Sequence, residues 1–132
     1  MTGPRPGQAA ERSHVVNESD TATALGSGDV PVLATPRLLA WLEAATVEAL
    51  EGSLPDGATS VGTRVDFEHV APSPVGVTVT VKAEVVAVDG RLVRFDVAAL
   101  HSDGELVSHG RITRVNVDRA RFVARAGGDP GR

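Results

Sequence analysis

The stretch 34-ATPRLLAWLEAATVEAL-50 decides the fold. Leu38, Leu39, Leu42, Ala45, Thr46, Ala49 and Leu50 recur at spacings of three and four, the period of a helix with one apolar face. Thr35 is a residue type that caps helix starts, Pro36 suits the first helical position, and Gly52 stands where such a helix would close. Glu43 interrupts the pattern. It lies four residues after Leu39, three before Thr46 and seven before Leu50, so it shares their face. An unpaired buried carboxylate is costly. Glu43 therefore either reaches water or an arginine at the margin of the stripe, or meets partners in a site that shifts its pKa.

Downstream the period changes from helix to strand. In 59-TSVGTRVDFEHVAP-72, Val61, Thr63, Val65, Phe67 and His69 alternate with Gly62, Arg64, Asp66 and Glu68, which predicts a strand with the first set on one face. The segment 75-VGVTVTVKAEVVAVDG-90 alternates in the same way, with valine on the apolar face. The segment 91-RLVRFDVAALHSDGELVSHGRITRVNV-117 supplies two more strands, and Asp-Gly pairs at 89–90 and 103–104 mark tight turns. Upstream, 11-ERSHVVNES-19 predicts a short first strand, and the Gly- and Pro-punctuated 22-ATALGSGDVPVL-33 a loop. Residues 1–10 are expected to be a disordered tail, 11–125 one domain, and 126–132 a flexible tail, with a short helical or irregular piece in 118-DRARFVARA-126. The order strand, helix, four strands predicts an α+β fold: a curved antiparallel sheet wrapped around one long helix, the hot-dog arrangement. Such a sheet leaves long edges, which dimerisation can cover.

Composition narrows the function classes. The 132 residues carry a net charge of −4, far from the basic footprint of a nucleic-acid binder. There is no cysteine, hence neither a disulfide framework nor a thiolate metal site. No apolar run approaches the roughly 18 residues of a membrane span, and 1-MTGPRPGQAAERSH-14 has no apolar signal core, so a cytoplasmic protein is expected. No metal-ligand spacing and no G-x-S-x-G elbow occur, and Gly26-Ser27-Gly28 is too short for a phosphate-binding loop. His101 and His109 show no carboxylate at ligand spacing. No cofactor or metal is expected.

Three positions remain. Thr35 is either a simple cap or, with the free N–H groups of a helix start, a holder of a developing oxyanion. His69 is either a hydrogen-bonded core histidine or, if the helix crosses its face, a base oriented by Glu43.

The runs 33-LATPRLLAWLEAA-45 and 60-SVGTRVDFEHVAPSPVGVTVTVKAEVVAVDGR-91 resemble the hot-dog thioesterases related to fluoroacetyl-CoA thioesterase, over about residues 11–125. The resemblance implies a homodimer that binds acyl-CoA near its subunit interface. It implies a catalytic set that falls on Thr35, Glu43 and His69, and a substrate-contacting glycine on Gly62. A family pattern G-x-H-x-R falls on Gly110, Arg111, Ile112, Thr113 and Arg114, so the histidine is absent while Arg114 remains as a CoA contact. The family's phenylalanine gate is replaced by 26-GSGDVPV-32, which points to a short acyl group other than fluoroacetyl. The expected activity is hydrolysis of an acyl-CoA to a carboxylic acid and CoA, with Glu43 either orienting His69 or attacking the carbonyl itself. The competing readings are a non-catalytic acyl-CoA-binding or scaffold dimer, and a hydratase, whose aspartate–histidine pair has no counterpart in 35-TPRLLAW-41.

Overall fold

The computed structural model of the chain describes residues 3–127. Five strands form one antiparallel sheet: β1 (Ala9–Val15), β2 (Ala58–His69), β3 (Thr78–Asp89), β4 (Leu92–His101) and β5 (Leu106–Asp118), in the order β1-β3-β4-β5-β2. The helices are α1 (Ala22–Leu25), α2 (Thr35–Ala49) and α3 (Arg119–Arg125). The strands meet where the turn chemistry predicts. Gly90 and Gly104 take left-handed conformations, with φ of 59° and 90°, which a residue bearing Cβ adopts only at a cost.

Helix α2 lies across the sheet and buries Leu38, Leu42, Ala45, Thr46 and Ala49. They pack against Val79, Val81, Val85, Val93, Phe95 and Ile112, the inward sides of β3, β4 and β5. Each fully buried Leu, Val or Ile contributes about 1.5–3 kcal/mol relative to exposure, so this interface dominates the core. Trp41 sits at the stripe's flank and stacks on His14 of β1, ring centroids 4.3 Å apart.

Four expectations change. The strand β1 begins at Ala9, and Gly7 and Gln8 exchange backbone hydrogen bonds with Val85 (both 2.8–2.9 Å), so the expected disordered tail is corrected at residues 7–10. Residues 1–2, and 128–132 of the expected C-terminal tail, lie outside the described residues. The helix cap is Ala34 rather than Thr35: Leu38 N–H bonds Ala34 O at 3.0 Å, which makes Thr35 the first helical residue and frees its hydroxyl. The helix ends at Ala49, and Gly52 (φ 78°) turns the chain two residues after the Leu50 cap. The expected loop 22–33 begins with α1, a single turn capped by the Thr21 hydroxyl, which accepts from Ala24 N–H, and closed by left-handed Gly26.

The correction with the largest consequence is in β2. Its register with β5 slips between Gly62 and Arg64, so Thr63 is an extra residue. A bulge of this kind resets which residues face the core. Beyond it Val65, Phe67 and His69 pair with Ile112, Gly110 and Ser108; before it Ser60 and Gly62 pair with Asn116 and Arg114. Cross-strand partners point to the same side. Gly62 therefore shares the helix-facing side with His69, although strict alternation puts it on the opposite one.

Candidate active site

Two groups of side chains meet along α2. The first is at its start. Thr35 Oγ1 lies 2.8 Å from His69 Nδ1, joining the first residue of α2 to the last of β2. The segment before the helix is held firmly: Leu33 N–H bonds Ser73 O, Ala34 N–H bonds Asp20 O, and the Arg37 guanidinium meets the Asp20 carboxylate at 3.0 Å. Burial lowers the His69 pKa below its ordinary value, and the backbone of Ala71 opposes that weakly. His69 Nε2 is buried without a hydrogen-bond partner among the described residues, so the Nδ1 side carries the contact. The pair opens on a pocket of about 330 Å³ walled by Ala22, Val30, Leu33 and Ala71. A Cβ on Gly28 would stand 3.2 Å from Ala22 Cβ, so Gly28 packs tightly on α1 at the pocket.

The second group lies two turns along. Glu43 is eight residues past Thr35, about 12 Å along the axis. Its carboxylate points over Gly62: a Cβ at that glycine would stand 2.7 Å from Glu43 Oε2. Arg114 Nη1 lies 3.8 Å from the same oxygen. Arg114 is buried and donates from Nε to Ser60 Oγ (2.8 Å), from Nη2 to Ser60 O (3.0 Å) and from Nη1 to Thr46 Oγ1 (3.4 Å). The Thr46 hydroxyl donates to Glu43 O. Burial pushes the Arg114 pKa down and the Glu43 carboxylate opposes it. These contacts answer why a carboxylate interrupts the apolar stripe: Glu43 sits at its margin, 39% exposed, against an arginine.

The structure thus brings Thr35 to His69, and Glu43 to Gly62 and Arg114, but it does not pair Glu43 with His69 inside one chain. Arg114, implied by the resemblance to touch CoA, instead turns inward, because its donors are engaged by Ser60 and Thr46. Sequence reasoning missed Ser60 and Thr46 as parts of this network. A threonine in an apolar helix stripe was the available signal. It also missed a carboxylate beside His101: Glu105 Oε1 lies 2.8 Å from His101 Nδ1, brought there by the turn between β4 and β5. Hollows of about 480 and 490 Å³ elsewhere on the sheet contain none of Thr35, Glu43, Gly62, His69 and Arg114.

A single helix cradled by a curved five-stranded antiparallel sheet, with polar side chains gathered at the helix, defines the hot-dog class. The sequence matches the fluoroacetyl-CoA-specific thioesterase family over residues 16–120, and the chain belongs to that family. It is 34% identical over 94 residues to the fluoroacetyl-CoA thioesterase of Streptantibioticus cattleyicolor, covering 71% of this chain and 67% of that one. The fold is similar to the solved fluoroacetyl-CoA thioesterase FlK, with a TM-score of 0.87, 30% identity, and 95% and 96% of the two chains covered. A thioesterase superfamily member from Thermus thermophilus superposes with a TM-score of 0.88 at 27% identity, covering 96% and 93%. The chain is accordingly a thioester hydrolase of hot-dog fold. No helix among the described residues is long and apolar enough to cross a membrane.

Proposed function

We propose that this enzyme hydrolyses a short-chain acyl-CoA to a carboxylic acid and free CoA, at a site shared by two copies of the chain. The observation that carries the reading is the 2.8 Å contact between Thr35 and His69 at the mouth of the 330 Å³ pocket. The N–H groups of Thr35 and Arg37 in the first helical turn supply donors for the thioester oxygen, while the Thr35 hydroxyl donates to His69 Nδ1. His69, kept neutral by burial, takes a proton from water through Thr35 as the water adds to the carbonyl. The C–S bond then breaks, and the proton passes to the departing sulfur, so CoA leaves as the thiol. Arg114 holds Glu43 in place rather than binding CoA. The aliphatic walls, the tight packing of Gly28 on Ala22 and the absence of aromatics in residues 26–32 favour a short acyl group. A cytoplasmic location belongs to the same reading, in keeping with a chain that has no cysteine to oxidise.

The homodimer supplies what one chain lacks. β2 is an edge strand of twelve residues, with Val65 39% exposed, and long unpaired edges invite pairing. Gly62 and His69 are seven residues apart, roughly 20 Å along the strand. Antiparallel pairing of two β2 strands about a two-fold axis at residue 66, with Thr63 unpaired, sets the partner subunit's Gly62 opposite His69. The bulge at Thr63 matters here, because it puts both positions on the helix side of the joined sheet. The partner subunit's Glu43 then arrives with its Gly62, and the acid and the imidazole converge. Incubation with a panel of acyl-CoAs and a thiol-reactive dye tests the activity. Release of free CoA supports it; saturable binding without release over the whole panel refutes it and leaves the scaffold reading.

A further inference from the structure

Away from these side chains, three others form a continuous chain of hydrogen bonds. Ser73 Oγ lies 2.7 Å from His101 Nε2, and His101 Nδ1 lies 2.8 Å from Glu105 Oε1. A carboxylate only accepts, so Nδ1 carries the proton and Nε2 accepts from the serine hydroxyl. The order serine, histidine, acid is that of a hydrolytic triad, but Ser73 is fully buried and no substrate can reach it. Nor is the cluster of His101, Asp103 and Glu105 open to a metal ion. Both ring nitrogens are engaged, and Asp103 accepts from Glu105 N–H at 2.9 Å.

The place of Ser73 in the chain says what the bonds do. It lies four residues after His69, in the connection from β2 to β3. Its carbonyl accepts from Leu33 N–H at 2.8 Å, two residues before Thr35, and neighbouring Pro74 bridges to Val32. One residue thus links the backbone that carries His69 to the backbone that carries Thr35. The side chain of that residue is tied through His101 to the turn between β4 and β5. The same turn is closed on itself by His101 N–H to Glu105 O, 2.9 Å. Val70 and Ala71, on the pocket wall, are bound to the start of β5 through Val107 O.

We propose that Ser73, His101 and Glu105 are positioning residues that fix the distance between Thr35 and His69. The inference rests on the hydrolase reading for its rate effect but not for its geometry. Displacement of a reacting group by about 1 Å costs about 10²-fold in rate. Ser73→Ala and His101→Phe are each expected to lower kcat by about ten- to a hundredfold with KM within about twofold, since substrate contacts are untouched. His101→Gln keeps a polar atom within reach of Ser73 and should recover most of that loss. Glu105→Ala, at an exposed position that the fold tolerates, should lower kcat by a smaller factor.

Imidazole NMR of the free protein follows His69 directly. Its ring resonances should move in Ser73→Ala and His101→Phe and return in His101→Gln, whether or not any thioester is hydrolysed. An inactive wild type would therefore end the hydrolase reading while the NMR arm still judged the relay. Unmoved His69 resonances in Glu105→Ala and His101→Phe would overturn the proposal. So would a fall in melting temperature in His101→Phe that His101→Gln shares in full without recovery of the resonances. Should Ser73→Ala fail to fold, the His101 and Glu105 variants decide alone.

Discussion

Gly62→Ala isolates the contact that holds Glu43. A Cβ at residue 62 would stand 2.7 Å from Glu43 Oε2 and 3.7 Å from Arg114 Nη1. Ordinary contact begins near 3.4 Å, so the carboxylate must retreat by about 0.7 Å, the shortfall from 2.7 to 3.4 Å. It moves alone, because it ends a flexible side chain that is 39% exposed, whereas Arg114 is clamped by Ser60. The backbone accepts alanine, as Gly62 is not among the glycines of positive φ, and alanine in a strand gains about 0.5–1 kcal/mol over glycine. Scaling from about 10²-fold per ångström, kcat should fall about ten- to fiftyfold, about 1.4–2.3 kcal/mol of transition-state stabilisation. Melting temperature should hold or rise slightly. Steady-state release of CoA and a thermal melt measure the two. The double variant Gly62→Ala with Glu43→Gln should be no slower than Glu43→Gln alone, because both act through one carboxylate. Wild-type kcat in Gly62→Ala would show that the placement of Glu43 over this glycine has no part in turnover.

Glu43→Gln and His69→Ala should each lower kcat by about 10²–10⁴-fold with little change in melting temperature; near-native turnover by either on a verified substrate would refute its role. Burial lowers the His69 pKa, so the acid limb of kcat/KM should have its midpoint below the ordinary histidine value of 6.5, and a midpoint above 6.5 would contradict the buried neutral base. Burial, together with Arg12, lowers His14 as well; the unfolded chain then binds more protons just below 6.5, so stability should fall as pH drops through 6.5 and level off above it, as denaturant titrations at several pH values would show. Mixing inactive Glu43→Gln and His69→Ala proteins after denaturation and refolding should restore part of the activity, because a mixed dimer with shared sites contains one intact site. No recovery despite proven mixed dimers would place each site within one chain.

Much of this was readable from period alone. A threefold and fourfold spacing in 38–50 and an alternation of valines in 79–85 specify a helix on a sheet, and the buried faces follow them, with only Leu39 of the helical set left partly exposed. The relay of Ser73, His101 and Glu105 was not readable, since a histidine and a glutamate four apart meet on a helix but here do so across a turn whose shape depends on Gly104. The inward turn of Arg114 was equally hidden. An arginine on a strand is ordinarily a surface residue, and here the Ser60 hydroxyl and carbonyl, the Thr46 hydroxyl and the Glu43 carboxylate together make its burial tolerable.

The bulge at Thr63 is the case where one extra residue changes the chemistry. Gly62 and His69 are separated by an odd number of steps, so in a regular strand they point to opposite faces. With an extra residue between them they point to the same face. The signal was present in the sequence as a glycine inside a valine- and threonine-rich strand, which marks a bulge or a close approach. In this chain it marks both. The missing side chain admits the Glu43 carboxylate, and the slip in register aims the glycine at the helix. Without the slip, Glu43 would face a side chain from the core-facing set instead of a gap, and Arg114 would have no Ser60 hydroxyl beside it. A deletion of Thr63 would leave Gly62 six steps from His69 in a regular strand, so the pairing of Gly62 with Arg114, the Glu43–Arg114 group and the contact between Thr35 and His69 should all persist, with CoA release near that of the wild type; loss of activity on that deletion would refute this account of the bulge.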